Sequence, residues 1–300
     1  MNSNYAPICL FTYNRLQETK ETINALQNNF LAKDSDLFIF SDGPKNKSDI
    51  NKVEEVRSYL HTISNFKSVV ITQSIENIGL AQSIVSGITK TLIEYDKIII
   101  LEDDIKTSKG FLKFMNDALN YYEKNEEVMQ VSGFMFPINN NELPDTFFYQ
   151  ANSCWGWGTW KNSWDLLIDD CDLILKKLNE KNVNWSEFNS LQGNEFKKQL
   201  LKNKSGKMNT WAVKWHSTIK IYGGKVLHPK SSFVSNIGFS GNGENCKKGD
   251  FIGEINDSLL LDVSHAEKKS NHFALIRLKE YFRIRYSLIE KIKRKLKSFK

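Results

Sequence analysis

Short apolar runs alternate with segments of helical periodicity through the first 132 residues, and this alternation limits the chain to a small set of folds. Ile8–Phe11, Leu37–Phe40, Val69–Thr72, Lys97–Leu101 and Val128–Val131 read as strands. Between them, apolar residues recur at helical spacing: Leu16, Ile23 and Leu26; Val53, Val56, Leu60 and Ile63; Leu80, Ile84, Ile88 and Leu92; Leu112, Met115, Leu119 and Tyr122. The turn Ser41-Asp42-Gly43-Pro44 ends the second strand, and Ser48 is placed to cap the helix after it. Strands joined through helices need crossover connections. The expected fold is therefore α/β, a mainly parallel sheet flanked by helices.

In such sheets ligands bind beyond the carboxyl ends of the strands. Three polar clusters fall there: Thr12-Tyr13-Asn14-Arg15, Ser41-Asp42-Gly43 and Glu102-Asp103-Asp104. They are far apart in sequence, yet a parallel sheet carries them to one edge. Consecutive acids repel one another, which favours a bound cation. Mn²⁺ or Mg²⁺ prefers carboxylate oxygens, and one or two carboxylates leave positions open for phosphate. Such a cation screens a diphosphate leaving group as a Lewis acid. An acidic triplet is otherwise common in a solvated loop; the buried strand Ile98–Leu101 in front of this one turns the reading toward a site.

From residue 146 the character changes. The segment Cys154-Trp155-Gly156-Trp157-Gly158-Thr159-Trp160 is followed by a helical region with Asp169, Asp170 and Asp172, then by Trp211, Trp215 and a polar, glycine-rich stretch over 236–243. This part reads as a second subregion packed on the same sheet edge. Trp157 and Trp160 suit either sugar stacking or core packing. His216 and His228 read as structural.

The net charge of +6 misleads as an average. Residues 271–300 hold ten bases and two acids, which leaves 31 bases against 33 acids in the rest. Leu275, Leu278, Phe282, Ile289, Ile292, Leu296 and Phe299 place an apolar stripe among these bases, the pattern of a basic amphipathic helix. An anionic membrane attracts each such base by about 1 kcal/mol, so a lipid surface is the expected partner. The alternative is a helix that packs its stripe on the body. A slightly acidic body with bases confined to one end speaks against nucleic acid. No run approaches the ~20 apolar residues of a membrane span, and Ile8–Phe11 is too short for a signal peptide. Four scattered cysteines without a CxxC pair suit a reducing compartment. The expected location is cytoplasmic, peripheral at the inner face of the cell membrane.

The segment Ile99-Ile100-Leu101-Glu102-Asp103-Asp104-Ile105, followed by Gly110-Phe111-Leu112, resembles the metal-binding segment of N-acetylglucosaminyltransferase I-like enzymes and of bacterial family 2-type surface-polysaccharide glycosyltransferases of the GT-A fold. Phe11 to Arg15 resembles their first nucleotide-contacting loop, and Ser41-Asp42-Gly43 and Asn77-Ile78-Gly79-Leu80 follow in the same order. Cys154–Trp160, Trp211 with Trp215, and His228-Pro229 through Ser235-Asn236-Ile237-Gly238 resemble the acceptor half of the bacterial members. The resemblance implies a GT-A, Rossmann-like fold with a nucleotide-sugar half (1–145), an acceptor half (146–262) and a basic amphipathic tail (263–300). It implies that Asp104 binds Mn²⁺ or Mg²⁺. Thr12, Tyr13, Asn14, Arg15, Asp42, Gly43, Asn77 and Gly79 would line the nucleoside and phosphate pocket, with Gly79 giving close backbone approach at a helix start. Glu102 and Asp103 would orient ribose, donor sugar or acceptor, and Asp103 and Glu244 are the candidate catalytic carboxylates. Two positions depart from the pattern. Ala212 stands where relatives carry an acid, and Ser240 and Asn245 stand where many bacterial members carry Asp and His.

The implied activity is transfer of a hexose or N-acetylhexosamine from a nucleotide-diphosphate sugar, a UDP-sugar by the resemblance, to a surface-glycan or lipid-linked acceptor with inversion. The rivals are a degenerate nucleotide-sugar-binding scaffold and a sugar nucleotidyltransferase. The latter needs a glycine-rich GxGxRL-type loop that Phe11–Arg15 does not supply.

Overall fold

The computed structural model describes residues 5–149, 151–189, 195–238, 255–264, 266 and 271–285. Each run of the first half becomes the expected element. The order is β1 (Ile8–Thr12), α1 (Leu16–Gln27), β2 (Asp36–Ser41), α2 (Ile50–Leu60), β3 (Ser68–Gln73), α3 (Leu80–Thr91), β4 (Lys97–Glu102), a short β5 (Ile105–Thr107), α4 (Phe111–Tyr121) and β6 (Val128–Ser132). The remainder adds β7 (Thr146–Tyr149), β8 (Trp157–Trp160), α5 (Lys161–Trp164), α6 (Cys171–Glu180), α7 (Trp185–Phe188), α8 (Glu195–Lys204), α9 (Ala212–Tyr222), β9 (Lys225–Pro229), β10 (Val234–Asn236) and α10 (His272–Arg285).

The chain is an α/β fold built on one mixed sheet of order β3-β2-β1-β4-β8-β6-β9-β7. The pairs β1–β2, β2–β3, β1–β4 and β6–β9 are parallel, while β8 runs antiparallel between β4 and β6, and β7 is antiparallel to β9. Strands covered on both faces are apolar at every position, and alternation sorts them. Ile8, Leu10, Ile99 and Leu101 face α1, α2 and α4; Cys9, Phe11, Ile98 and Ile100 face α3 and α9. Residues after 145 are thus woven into the sheet through β7, β8 and β9 rather than laid on its edge. A smaller core of Ile174, Leu178, Phe188, Leu200, Val213 and Ile221 holds the helices α6 to α9 together.

Two expectations change here. Asn46, not Ser48, makes the cap near α2: its Oδ1 accepts from Ser48 N at 3.0 Å, within a 3₁₀ turn that delays the helix to Ile50. The stripe of α10 is turned inward. Ala274, Leu278 and Phe282 pack on Met135, Phe147 and Tyr149, so Leu278 and Phe282 serve the body. Phe273, Ile276 and Ile284 lie outward, 55%, 45% and 52% exposed. Ile289, Ile292, Leu296 and Phe299 lie outside the described residues. Among those described, no helix is long and apolar enough to cross a membrane.

Candidate functional site

The strand ends meet through direct hydrogen bonds. Arg15 occupies the N-cap position of α1, with its carbonyl held by Thr19 N at 3.0 Å and Thr19 Oγ1 at 2.6 Å. Its guanidinium reaches back to the end of β4. There Nη1 donates to Asp104 Oδ2 at 3.0 Å, Nε faces Asp103 Oδ2 at 3.4 Å, and Nη2 bonds Asp103 Oδ1. The Asp103 carbonyl accepts from Thr22 Oγ1 on α1 at 2.8 Å. The acids at 103–104 and the loop at 12–15 are therefore one unit.

A second knot joins β2 to the loop after β3. Asp42 is buried and its carboxylate is filled. Oδ1 accepts from Gly43 N and Ile78 N at 2.8 and 2.9 Å; Oδ2 accepts from Asn77 Nδ2 and Gly79 N at 3.0 and 2.9 Å. Asp42 N in turn donates to the Thr12 carbonyl at 3.1 Å. Asp42 thus shapes the Asn77–Gly79 loop with all its acceptor capacity. Gly79 takes a φ of +78°, which favours glycine, and a Cβ there would meet no protein atom within 4 Å. A Cβ on Gly43, by contrast, would fall 2.5 Å from the Glu76 backbone. Tyr13 and Asn14 both turn to Asp49, at 3.0 and 3.4 Å, and Lys45 N donates to the Tyr13 hydroxyl.

Sequence reasoning missed two residues of this framework. Arg57 of α2 donates to the Ser74 carbonyl at 2.7 Å and the Asp42 carbonyl at 3.3 Å, tying three elements. A charged residue between the buried Val56 and Leu60 was the readable signal. Asp49 carried none, because its role depends on the course of the chain between β2 and α2.

The acid cluster lies deep. Asp103 and Asp104 are buried, and Glu102 keeps some solvent contact while surrounded by protein. Burial pushes the Glu102 carboxyl up to about 8, helped by repulsion from Asp104 and Asp103 and opposed by Arg15. Asp103 rises to about 6, because burial outweighs the Arg15 guanidinium beside it. Asp104 is raised for the same reason. Asp104 Oδ1 and Thr12 Oγ1 are buried without a hydrogen-bond partner among the described residues. The carboxylate set fits a divalent cation at Asp104 Oδ1, a charged acceptor that burial otherwise leaves uncompensated. Among the described residues no group of three or more His, Cys, Asp or Glu is placed to hold a metal.

A strand from the far end of the sequence lies over this cluster. β10 pairs antiparallel with β5, and Ile237 N donates to the Asp104 carbonyl at 2.8 Å. Gly238 follows. A Cβ at Gly238 would lie 2.1 Å from Asp104 Oδ2, so the Asn236-Ile237-Gly238 triplet needs its glycine for packing on the acid. Gly238→Ala is expected to force Asp104 and Arg15 from their places and to lower stability by about 1–3 kcal/mol, as overpacking does. Urea unfolding checks it; an unchanged midpoint would mean the contact is unimportant.

The aromatic segment is core. Trp157 is fully buried and stacks on Trp211 at 5.2 Å, with Trp164 and Trp215 against it. The indole N–H groups of Trp160, Trp164 and Trp215 bond Leu119 O, Thr89 Oγ1 and Gln130 Oε1 at 3.0, 3.0 and 2.9 Å. His216 and His228 are structural, as read: burial pushes them down to about 3 and about 4, with backbone carbonyls at 2.6 and 2.9 Å from their Nε2 atoms. Glu244, Ser240 and Asn245 lie outside the described residues.

No family model matches the chain, and no curated protein matches it in sequence. Several solved structures share its layout. A mannosyltransferase, PcManGT from Pyrobaculum calidifontis in complex with GDP-Man and Mn²⁺, is similar over 76% of this chain and 56% of its own, at 11% identity and a TM-score of 0.45. Residues 1–349 of TarS from S. aureus match over 76% of this chain and 59% of that one, at 12% identity and a TM-score of 0.41. A longer TarS structure matches over 77% and 36%, at 12% identity and the same TM-score. The chain spans little more than half the length of the first two. These values describe a likeness of layout and carry nothing about chemistry.

Raised carboxyl groups give a pH dependence. A carboxyl whose folded pKa lies above its unfolded value binds more protons when folded, so stability falls as pH rises toward the folded pKa. For Glu102 that window runs from its ordinary range near 4.5 up to about 8. The buried histidines act oppositely, but only from about 6.5 downward. The melting temperature of the cation-free protein is therefore expected to rise as pH is lowered from 8.5 to 6.5. Glu102→Gln should flatten the trend; a wild-type trend of opposite sign would contradict it.

Proposed function

We propose that this chain is a GT-A-type glycosyltransferase that takes a hexose or N-acetylhexosamine from a nucleotide-diphosphate sugar. The observation that carries the reading is the junction of loops at 12–15, 42–43, 77–79 and 102–104 around a buried acid cluster whose last member, Asp104, keeps one oxygen without a partner among the described residues. In this reading residues 1–145 bind the donor and 146–262 help form the acceptor side. Thr12, Tyr13 and Asn14 border the nucleoside. Asp42 and Arg57 set the Asn77–Gly79 loop that faces it. Arg15 supplies positive charge for the diphosphate. Asp104 holds the divalent cation, which, when bound, neutralises the leaving diphosphate as a Lewis acid. Asp103 orients ribose or donor sugar. Inverting transfer needs a proton acceptor for the acceptor hydroxyl, and Glu244 is the candidate for it.

Slow release of UDP from a matching UDP-sugar in the presence of Mn²⁺ tests the reading. Failure of every common sugar nucleotide to be hydrolysed or transferred, beside tight donor binding, would favour the second reading, a binding scaffold without turnover. Ala212 supports that alternative: it opens α9 beside Trp211 and brings no acid to the helix start.

The acceptor proposed is a glycan or lipid-linked glycan at an anionic membrane surface. The outward face of α10 supports this placement, since Phe273, Ile276 and Ile284 project among Arg277, Lys279 and Arg283. Co-sedimentation with vesicles containing anionic lipid, lost on replacing the three apolar residues with Ser, checks it.

A further inference from the structure

The cluster that would take the cation already holds one positive charge. Arg15 Nη1 sits on Asp104 Oδ2, and the rest of the guanidinium is spread along Asp103. Asp103 and Asp104 hold that guanidinium charged against the cost of burying it. The Arg15 side chain keeps 18% of its surface exposed, against 7% for Asp104. The nearby Gly238 position crowds the same two groups, its Cβ direction lying 2.1 Å from Asp104 Oδ2 and 3.1 Å from Arg15 Nη1. The backbone of Arg15 is fixed by Thr19, but its side chain is tied by these ion pairs. Glu18 adds negative charge near the pair. A dication on Asp104 Oδ1 would stand within a few ångströms of a like charge, where repulsion is strong even at an effective dielectric near 20.

Building on the functional reading above, we infer that Arg15 is the resting counter-ion of the acid cluster, and that a divalent cation gains Asp104 only as the donor's diphosphate takes over the guanidinium. The exchange balances charge without a bond being made or broken. The guanidinium leaves two carboxylates for phosphate oxygens, with which it forms an equally favourable fork. Asp104, freed, then accepts the cation. Arg15 on this account sets the order of binding: cation and donor enter together, and free enzyme holds metal weakly.

Mn²⁺ binding to the full chain, followed by the loss of the free Mn²⁺ paramagnetic resonance signal, tests this without any turnover. Wild type should bind Mn²⁺ weakly alone and much more tightly with UDP or GDP. Arg15→Gln should bind Mn²⁺ at least about tenfold tighter than wild type in the absence of nucleotide, and the gain from nucleotide should shrink. Arg15→Lys, which keeps the charge, should stay close to wild type in nucleotide-free affinity and guards against a Gln variant that fails to fold. Nucleotide-free affinity unchanged or weakened in Arg15→Gln, with normal nucleotide-dependent binding in wild type, would overturn this inference alone. Absence of Mn²⁺ binding by wild type even with UDP and GDP would remove the functional reading, and this inference with it.

Discussion

Asp104→Ala is expected to abolish cation-dependent release of nucleotide from the donor, with a loss of at least about a hundredfold, more than the tenfold to hundredfold that follows loss of a ligand's mere support. Asp104 is the acid whose Oδ1 is buried without a hydrogen-bond partner among the described residues. The substitution should leave the fold intact. Asp104 accepts from Ile237 through its backbone carbonyl, which alanine keeps, and Arg15 retains Asp103. Relieving one of three crowded carboxylates also removes repulsion that helps to raise Glu102. Wild-type-like turnover by Asp104→Ala at saturating Mn²⁺ would show that the cation, if any, is held elsewhere.

Trp157→Ala should cost stability rather than affinity. The side chain is fully buried on the β8 strand, stacked on Trp211 and flanked by Trp164 and Trp215. Removing so large a buried ring typically costs about 3–5 kcal/mol, because the neighbours collapse only in part. Two of those neighbours are pinned by indole hydrogen bonds, to Thr89 and Gln130, which limits the collapse. Urea unfolding measures the loss. A ring that stacked on a sugar would behave otherwise: its alanine variant would unfold at wild-type urea concentrations and lose acceptor affinity instead.

How far the sequence reveals this molecule depends on the range of the interactions involved. Strands β1 to β4 and β6 and helices α1 to α4 are local facts, since Ile98 to Leu101 must be buried on both faces and Leu80, Ile84 and Ile88 must share one. Their order then dictates that 12–15, 42–43 and 102–104 share an edge, and the ion pair between Arg15 and Asp104 is the result. What sequence could not convey is pairing between distant segments. β8 slots between β4 and β6 in reverse direction, so the Trp-rich segment becomes sheet and core, not a binding surface. The β5–β10 pair, which puts Gly238 on Asp104, joins segments more than a hundred residues apart. The inward face of α10 stayed open between lipid and body for a related reason. Leu278 and Phe282 are apolar on either reading, and only the apolar side chains of β7, Phe147 and Tyr149, decide which way they turn.

The central claim is that this edge of the sheet gathers a nucleoside diphosphate together with a divalent cation. Thermal unfolding of the wild-type chain with UDP or GDP, each with and without Mn²⁺, addresses it most directly. Ligand at a hundred times its dissociation constant adds about 2.7 kcal/mol of stability, a rise of several degrees for a chain of this size. The account predicts that rise for at least one nucleotide when Mn²⁺ is present, a much smaller one without it, and none for Asp104→Ala. Midpoints that stay fixed under all four conditions, or that move equally with and without the cation, would contradict it.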